Sequence, residues 1–143
     1  MLFRSPRDIP AFVKELGKHP YNMITGVNTL YNAFLHNPDF PKLDFSKVRV
    51  CGAGGMAMQK AVAERWKEVT GKTILEGYGL TETSPTLSLV RPDEMADGAF
   101  DHVGSAYPSV ELRIAEDGEI LARGDVGGAV TRRGEAPLRA AEE

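Results

Sequence analysis

The sequence predicts an α/β fold, with a partial parallel-sheet (βαβ) subdomain followed by the start of an antiparallel β-rich subdomain. The strand candidate Val48-Arg49-Val50-Cys51, a helical period over 58–69 and the strand candidate Thr73-Ile74-Leu75 follow one another with short joints. Strand, helix and strand in that order are the pattern of a parallel crossover unit. Further on, Val110 to Ile114 alternates, Glu116-Asp117-Gly118 turns, and 119–122 returns, which is a hairpin signal. At 143 residues the chain is long enough to bury a core of its own.

The remaining elements follow in order. Ser5-Pro6-Arg7-Asp8 predicts a helix start, with Ser5 as N-cap, Pro6 in the first turn and Asp8 three residues after the cap. Ile9, Phe12, Val13 and Leu16 then recur at helical spacing, and residues 17–20 stop the helix. A short strand is expected over 21–25 and a helix over 28–35, with Leu30, Tyr31, Phe34 and Leu35 as its apolar face. Asn37-Pro38 opens a loop rich in turn formers. Gly52-Ala53-Gly54-Gly55 reads as a flexible turn, and the helix over 58–69 places Ala61, Val62, Arg65, Trp66 and Val69 near one side. Trp66 reads as packing, and Gly71 stands where such a helix stops. A strand is expected over 86–90 and a polar loop over 92–101. Beyond Gly124 the pattern dissolves, so 125–143 is expected to be disordered or loosely attached.

Composition narrows the function classes. A net charge of −3 offers no basic footprint for nucleic acid. The single cysteine, Cys51, excludes an intrachain disulfide and a cysteine-based metal cluster, and its place in an apolar run makes it a small buried hydrophobe. His19, His36 and His102 are scattered without ligand-like spacing and read as surface or loop residues. No apolar run approaches the roughly 20 residues that span a bilayer. The N-terminus lacks the apolar core of a signal peptide, so a cytoplasmic location is expected.

The chemistry concentrates in Glu76-Gly77-Tyr78-Gly79-Leu80-Thr81-Glu82-Thr83. Gly77 and Gly79 let backbone approach a ligand closely. Tyr78 offers a flat face to a purine. Thr81 can hydrogen-bond a phosphate oxygen, and a carboxylate such as Glu82 beside phosphate is a common way to hold Mg²⁺. A rival lies upstream. Gly52-Ala53-Gly54-Gly55-Met56-Ala57 fits the G-x-G-x-x-G/A form between a strand and a helix, and Glu76 ends the next strand near where a ribose-binding acid would lie. That alternative makes the chain a dinucleotide-binding (Rossmann-like) oxidoreductase unit, with pyrophosphate at a helix N-terminus. A non-catalytic remnant or interaction module is the third reading. Tyr-Gly-Leu-Thr-Glu directly beyond Glu76 favours the first, since a dinucleotide fold has no use for it.

Several stretches then agree in order: Ile24-Thr25-Gly26-Val27-Asn28-Thr29-Leu30, Ala53-Gly54-Gly55-Met56, Ala63-Glu64-Arg65-Trp66, Glu76 to Glu82, Val103-Gly104, and Gly118-Glu119-Ile120-Leu121-Ala122-Arg123-Gly124. With these the chain resembles the adenylate-forming (AMP-binding) ligases, most closely the long- and medium-chain fatty acyl-CoA synthetases, as an internal fragment over about 5–124. The resemblance implies an acid–thiol ligase that activates a fatty acid with ATP to an acyl-adenylate and passes the acyl group to coenzyme A. It implies that Gly77, Tyr78 and Gly79, with neighbouring Glu76 and Leu80, border adenine and the activated acyl group. It likewise implies that Thr81 contacts phosphate, that Glu82 coordinates Mg²⁺, and that Gly54, Gly55 and Met56 line the cleft between adenine and acyl chain. Val27, Leu30, Tyr31 and Phe34 are placed either against an acyl tunnel or in plain core.

On this resemblance residues 1–100 form a partial adenylate-forming α/β subdomain, 101–124 begin a β-barrel-like subdomain, and 125–143 are an unmatched tail. The phosphate loop with its lysine, the stretch whose aspartate holds ribose, and the lid with its lysine do not occur, and Ala57 replaces a usual proline. An altered reading frame or a truncated gene product is expected to end this way. The chain alone is therefore expected to be inactive. Peripheral membrane association of the full-length enzyme and self-association through uncovered apolar faces complete the expectation.

Overall fold

The computed structural model describes residues 7–80, 86–91, 103–116, 118 and 120–124. The chain divides into two compact units, Met1–Glu76 and Gly77–Glu143. The predicted polar loop over 92–101 and the segment 125–143 lie outside the described residues, as do Ser5 and Pro6.

The first unit holds helix α1 (Ile9–Leu16), strand β1 (Met23–Gly26), helix α2 (Asn28–Leu35), a 3₁₀ turn at Phe40–Lys42, strand β2 (Val50–Ala53), helix α3 (Lys60–Thr70) and the start of strand β3 (Ile74–Tyr78). β1 pairs with β2 and β2 with β3, both parallel, so the predicted βαβ unit is present. The register aligns Ile24 with Cys51 and Cys51 with Ile74. All these side chains are buried, forming one apolar row across the sheet. The next row on that face is Gly26, Ala53 and Glu76, at the carboxyl ends of the strands.

Aromatic residues bind the helices together. Trp66 of α3 meets Tyr31 of α2 edge-on at 4.6 Å, and Phe40 packs at 5.1 Å from Trp66 and stacks at 5.3 Å on Phe34. Phe12 of α1 reaches Phe34 at 5.2 Å. Each such pair adds about 0.5–1.5 kcal/mol to the burial of its rings. The Tyr31 hydroxyl donates to Ile24 O at 3.2 Å and Gly52 O at 2.7 Å, tying α2 to two strands.

Several local expectations change. α1 is capped by Asp8, whose Oδ1 accepts from Ala11 N–H at 3.1 Å, rather than by Ser5. Proline then sits in the first turn as Pro10, where its missing N–H costs nothing. Gly52 and Ala53 belong to β2 and not to a turn, because they pair with Thr25 and Gly26. α3 begins at Lys60, two residues later than 58, and buries Val62, Ala63, Trp66 and Thr70, while Ala61 and Arg65 face solvent. It stops at Gly71, whose N–H donates to Lys67 O at 2.8 Å.

In the second unit, Gly77 and Tyr78 of β3 pair antiparallel with Leu89 and Ser88 of strand β4 (Ser88–Leu89), which pairs antiparallel with strand β5 (Ser105–Ala106). A separate hairpin joins β6 (Val110–Ile114) to β7 (Ile120–Gly124), with Ile114 opposite Ile120. It matches the expected hairpin. The fold is therefore α/β, with parallel pairing in the first unit and antiparallel pairing in the second. No helix among the described residues is long and apolar enough to cross a membrane.

Candidate functional site

In open α/β sheets, ligands gather outside the carboxyl ends of the parallel strands. In the first unit that rim is built from the start of α2, the segment 54–59 after β2, and Glu76. Its order comes from backbone donors meeting acceptors of three different elements. Gly54 N–H donates to Gly26 O at 3.4 Å. Met58 N–H donates to Glu76 Oε2 at 3.2 Å, and Gln59 N–H to Asn28 Oδ1 at 3.0 Å.

Gly55 lies between these anchors at a φ of +80°, a left-handed conformation suited to glycine. A Cβ added there would lie 3.8 Å from Val27 Cγ1, in ordinary contact, so the left-handed backbone, more than lack of room, calls for glycine. Met56 is 50% exposed, whereas Met58 is 6% exposed. With Val27 also exposed, the rim presents apolar side chains beside backbone.

The structure brings Gly54, Gly55, Met56 and Glu76 together around one loop. Glu76 accepts from that loop through Oε2. The dinucleotide alternative gains no support from the same geometry. Gly52 lies inside β2, Ala57 lies outside α3, and the helix opens only at Lys60, so the glycine turn does not feed a helix N-terminus.

In the second unit, Gly77 and Tyr78 are strand residues rather than the loop the sequence suggests. Tyr78 is half-buried, and its carbonyl accepts from Leu87 N–H at 2.8 Å. Gly79 and Leu80 follow, also half-buried. Thr81 and Glu82 lie outside the described residues. Among the described residues no group of three or more His, Cys, Asp or Glu side chains could hold a metal. Gly54, Gly55 and the half-exposed Met56 are the first unit's candidates for lining an adenylate. For Mg²⁺ the candidate ligand remains Glu82 alone.

Other candidates resolve as packing. Tyr31 and Phe34 are fully buried in the aromatic core, while Leu30 is partly buried. The Cys51 thiol is buried, and burial pushes its pKa up; Trp66 and Lys72 pull it down less strongly. Trp66 Nε1 and the Tyr21 hydroxyl are buried without a hydrogen bond of ordinary geometry. His36 Nδ1 lies 2.8 Å from Asn32 O on an exposed surface, and His19 is exposed near Glu15. His102 lies outside the described residues.

Sequence reasoning passed over Asn28 as a site residue. The available signal was a polar residue opening an apolar helix, and at 7% exposure it is one of the buried polar groups.

Comparison with known proteins identifies the family. The chain is 49% identical over 117 residues to a long-chain-fatty-acid–CoA ligase of Escherichia coli, covering 82% of this chain and 20% of that protein. To the corresponding ligase of Salmonella typhimurium it is 46% identical over 128 residues, covering 89% and 22%. The chain thus spans about a fifth of the length of these relatives. The crystal structure of an anthranilate CoA ligase in complex with anthranoyl-AMP superposes with a TM-score of 0.77 at 26% identity, covering 87% of this chain and 26% of that one. The family model described as AMP-binding enzyme matches residues 1–139, beyond Gly124 where the motif likeness ends. A glycine-bearing loop at the carboxyl ends of parallel strands, together with this match along nearly the whole chain, makes the protein a member of the AMP-binding enzyme family.

Proposed function

We propose that the chain is part of an ATP-dependent fatty acid–CoA ligase, which adenylates a carboxylate and transfers the acyl group to coenzyme A. The observation that carries this is the 49% identity over 117 residues to a long-chain-fatty-acid–CoA ligase. In this reading Gly54, Gly55 and Met56 present backbone and an apolar side chain to the acyl-adenylate. Glu76 and Leu80 flank Gly77, Tyr78 and Gly79, which border adenine. Thr81 holds a phosphate oxygen and Glu82 is the Mg²⁺ ligand. When bound, the metal neutralises phosphate charge as a carboxylate approaches.

Residues 1–100 belong to the α/β subdomain of this enzyme and 101–124 open its β-rich part. The whole protein works in the cytoplasm and meets membranes peripherally, while this chain by itself leaves apolar faces uncovered that favour self-association. Fatty acid, ATP and coenzyme A are its substrates. This chain contributes binding surface, and turnover belongs to the whole protein.

Thermal shift tests the reading. A palmitoyl-adenylate analogue with Mg²⁺ is expected to raise Tm, Glu82→Ala is expected to remove the Mg²⁺-dependent part, and NADH is expected to do nothing. Cooperative unfolding with no shift from the analogue would sink the proposal and leave a non-catalytic remnant.

A further inference from the structure

The segment 54–59 is fixed at both ends and exposed between them. Gly55, Met56 and Ala57 are all exposed, while Gly54 N–H is held by Gly26 O and the last two amides are held by side chains. The helix that follows has no side-chain cap of its own at Gln59. Asn28 supplies an acceptor there from another helix, and Glu76 does the same one residue earlier from β3. A buried amide side chain whose oxygen points at a loop amide costs desolvation unless the bond is made. The bond therefore pins Gln59, and with it the direction in which the chain leaves Met56.

We infer that Asn28 is the positioning residue of this loop. Acting through Gln59 N–H, with Glu76 acting on Met58 N–H, it sets where Gly55 and Met56 meet an acyl-adenylate. The role in ligand placement rests on the function proposed above; the role in placing the loop stands on the two hydrogen bonds. Asn28 opens α2 directly after the exposed Val27, so one helix start both holds the loop and borders it. A neutral acceptor is suited to this place, because it adds no second negative charge beside the amide pair that already faces the Glu76 carboxylate.

The test uses the full chain and two readouts. In Asn28→Ala, amide exchange at Gln59 is expected to quicken about tenfold, while exchange at Ile24, Cys51 and Ile74 stays unchanged. Affinity for a palmitoyl-adenylate analogue is expected to fall about tenfold in the same variant. Asn28→Asp keeps an acceptor and is expected to restore slow exchange at Gln59, while its added negative charge leaves the analogue affinity reduced. Unchanged exchange at Gln59, or equal quickening across the core strands, overturns the inference, the second because the residue would then be merely structural. If the unmodified chain binds no analogue, the proposed function falls, and the exchange result still decides whether Asn28 places the loop.

Discussion

Tyr31 shows how much one side chain can decide. Its ring fills the space against Trp66, and its hydroxyl serves carbonyls of two neighbouring strands, so helix and sheet are joined by one residue. Tyr31→Phe keeps the ring and removes the donor, and urea denaturation is expected to show a loss of about 1–2 kcal/mol. The same hydroxyl has a pKa raised by burial, with the Cys51 thiol nearby adding to it. Cys51 and Tyr21 are also raised, in both cases chiefly by burial. The sign of the pH effect follows. These groups stay protonated in the folded chain at pH values where the unfolded chain has ionised, so the unfolded state binds fewer protons there. Stability should hold up to about the ordinary cysteine value of 9.0 and fall above it, steepening beyond the ordinary tyrosine value of 10.0. Urea midpoints followed from neutral to alkaline pH check this, and Tyr31→Phe should flatten the upper part of the fall.

At the scale of elements, Gly104 is the clearest case of sequence and pairing locked together. It lies at a φ of +81° immediately before β5, and an added Cβ would run into the backbone of Leu89 and Val90. The Ser88 hydroxyl donates to Val103 O at 2.8 Å, so the approach is tight on both sides of the glycine. Gly104→Ala should cost about 1–3 kcal/mol and loosen the Leu89–Ser105 pairing, seen as faster amide exchange in β4 and β5 with α2 unaffected.

Elements were legible where local pattern and local partners agreed. α2 has the expected bounds because Tyr31 and Phe34 carry its buried face, and the β6–β7 hairpin follows its own alternation and its turn at Gly118. Elsewhere the deciding partner is distant. β3 runs on through Gly77 and Tyr78 only because Leu89 and Ser88 pair with them, and β5 is two residues long with no pattern of its own. α3 starts late because Met58 and Gln59 give their amides to Glu76 and Asn28, side chains 18 and 31 residues away in sequence. No window of sequence contains those acceptors.

For the whole molecule, the candidate site was legible as chemistry before it was legible as geometry. Glycines beside Tyr78 and the segment Gly54-Gly55-Met56 suggested nucleotide from residue types alone. The choice between two kinds of nucleotide site needed the distance between a glycine turn and a helix start, which depends on the whole parallel unit. The family match and the late start of α3 agree on the outcome, and the proposed ligand experiment with Glu82→Ala belongs at this scale because it asks what the assembled chain binds.

The contrast between Met56 and its near neighbour Met58 also makes the loop chemically addressable. Two residues apart, one thioether is open to solvent and the other is shielded, while Met23 on β1, at 57% exposure, is as open as the first. Dilute peroxide should therefore convert Met23 and Met56 to sulfoxide well before Met58. A compound seated on the rim would slow sulfoxide formation at Met56 and leave Met23 as a built-in clock, so peptide mass spectrometry could report occupancy without any turnover.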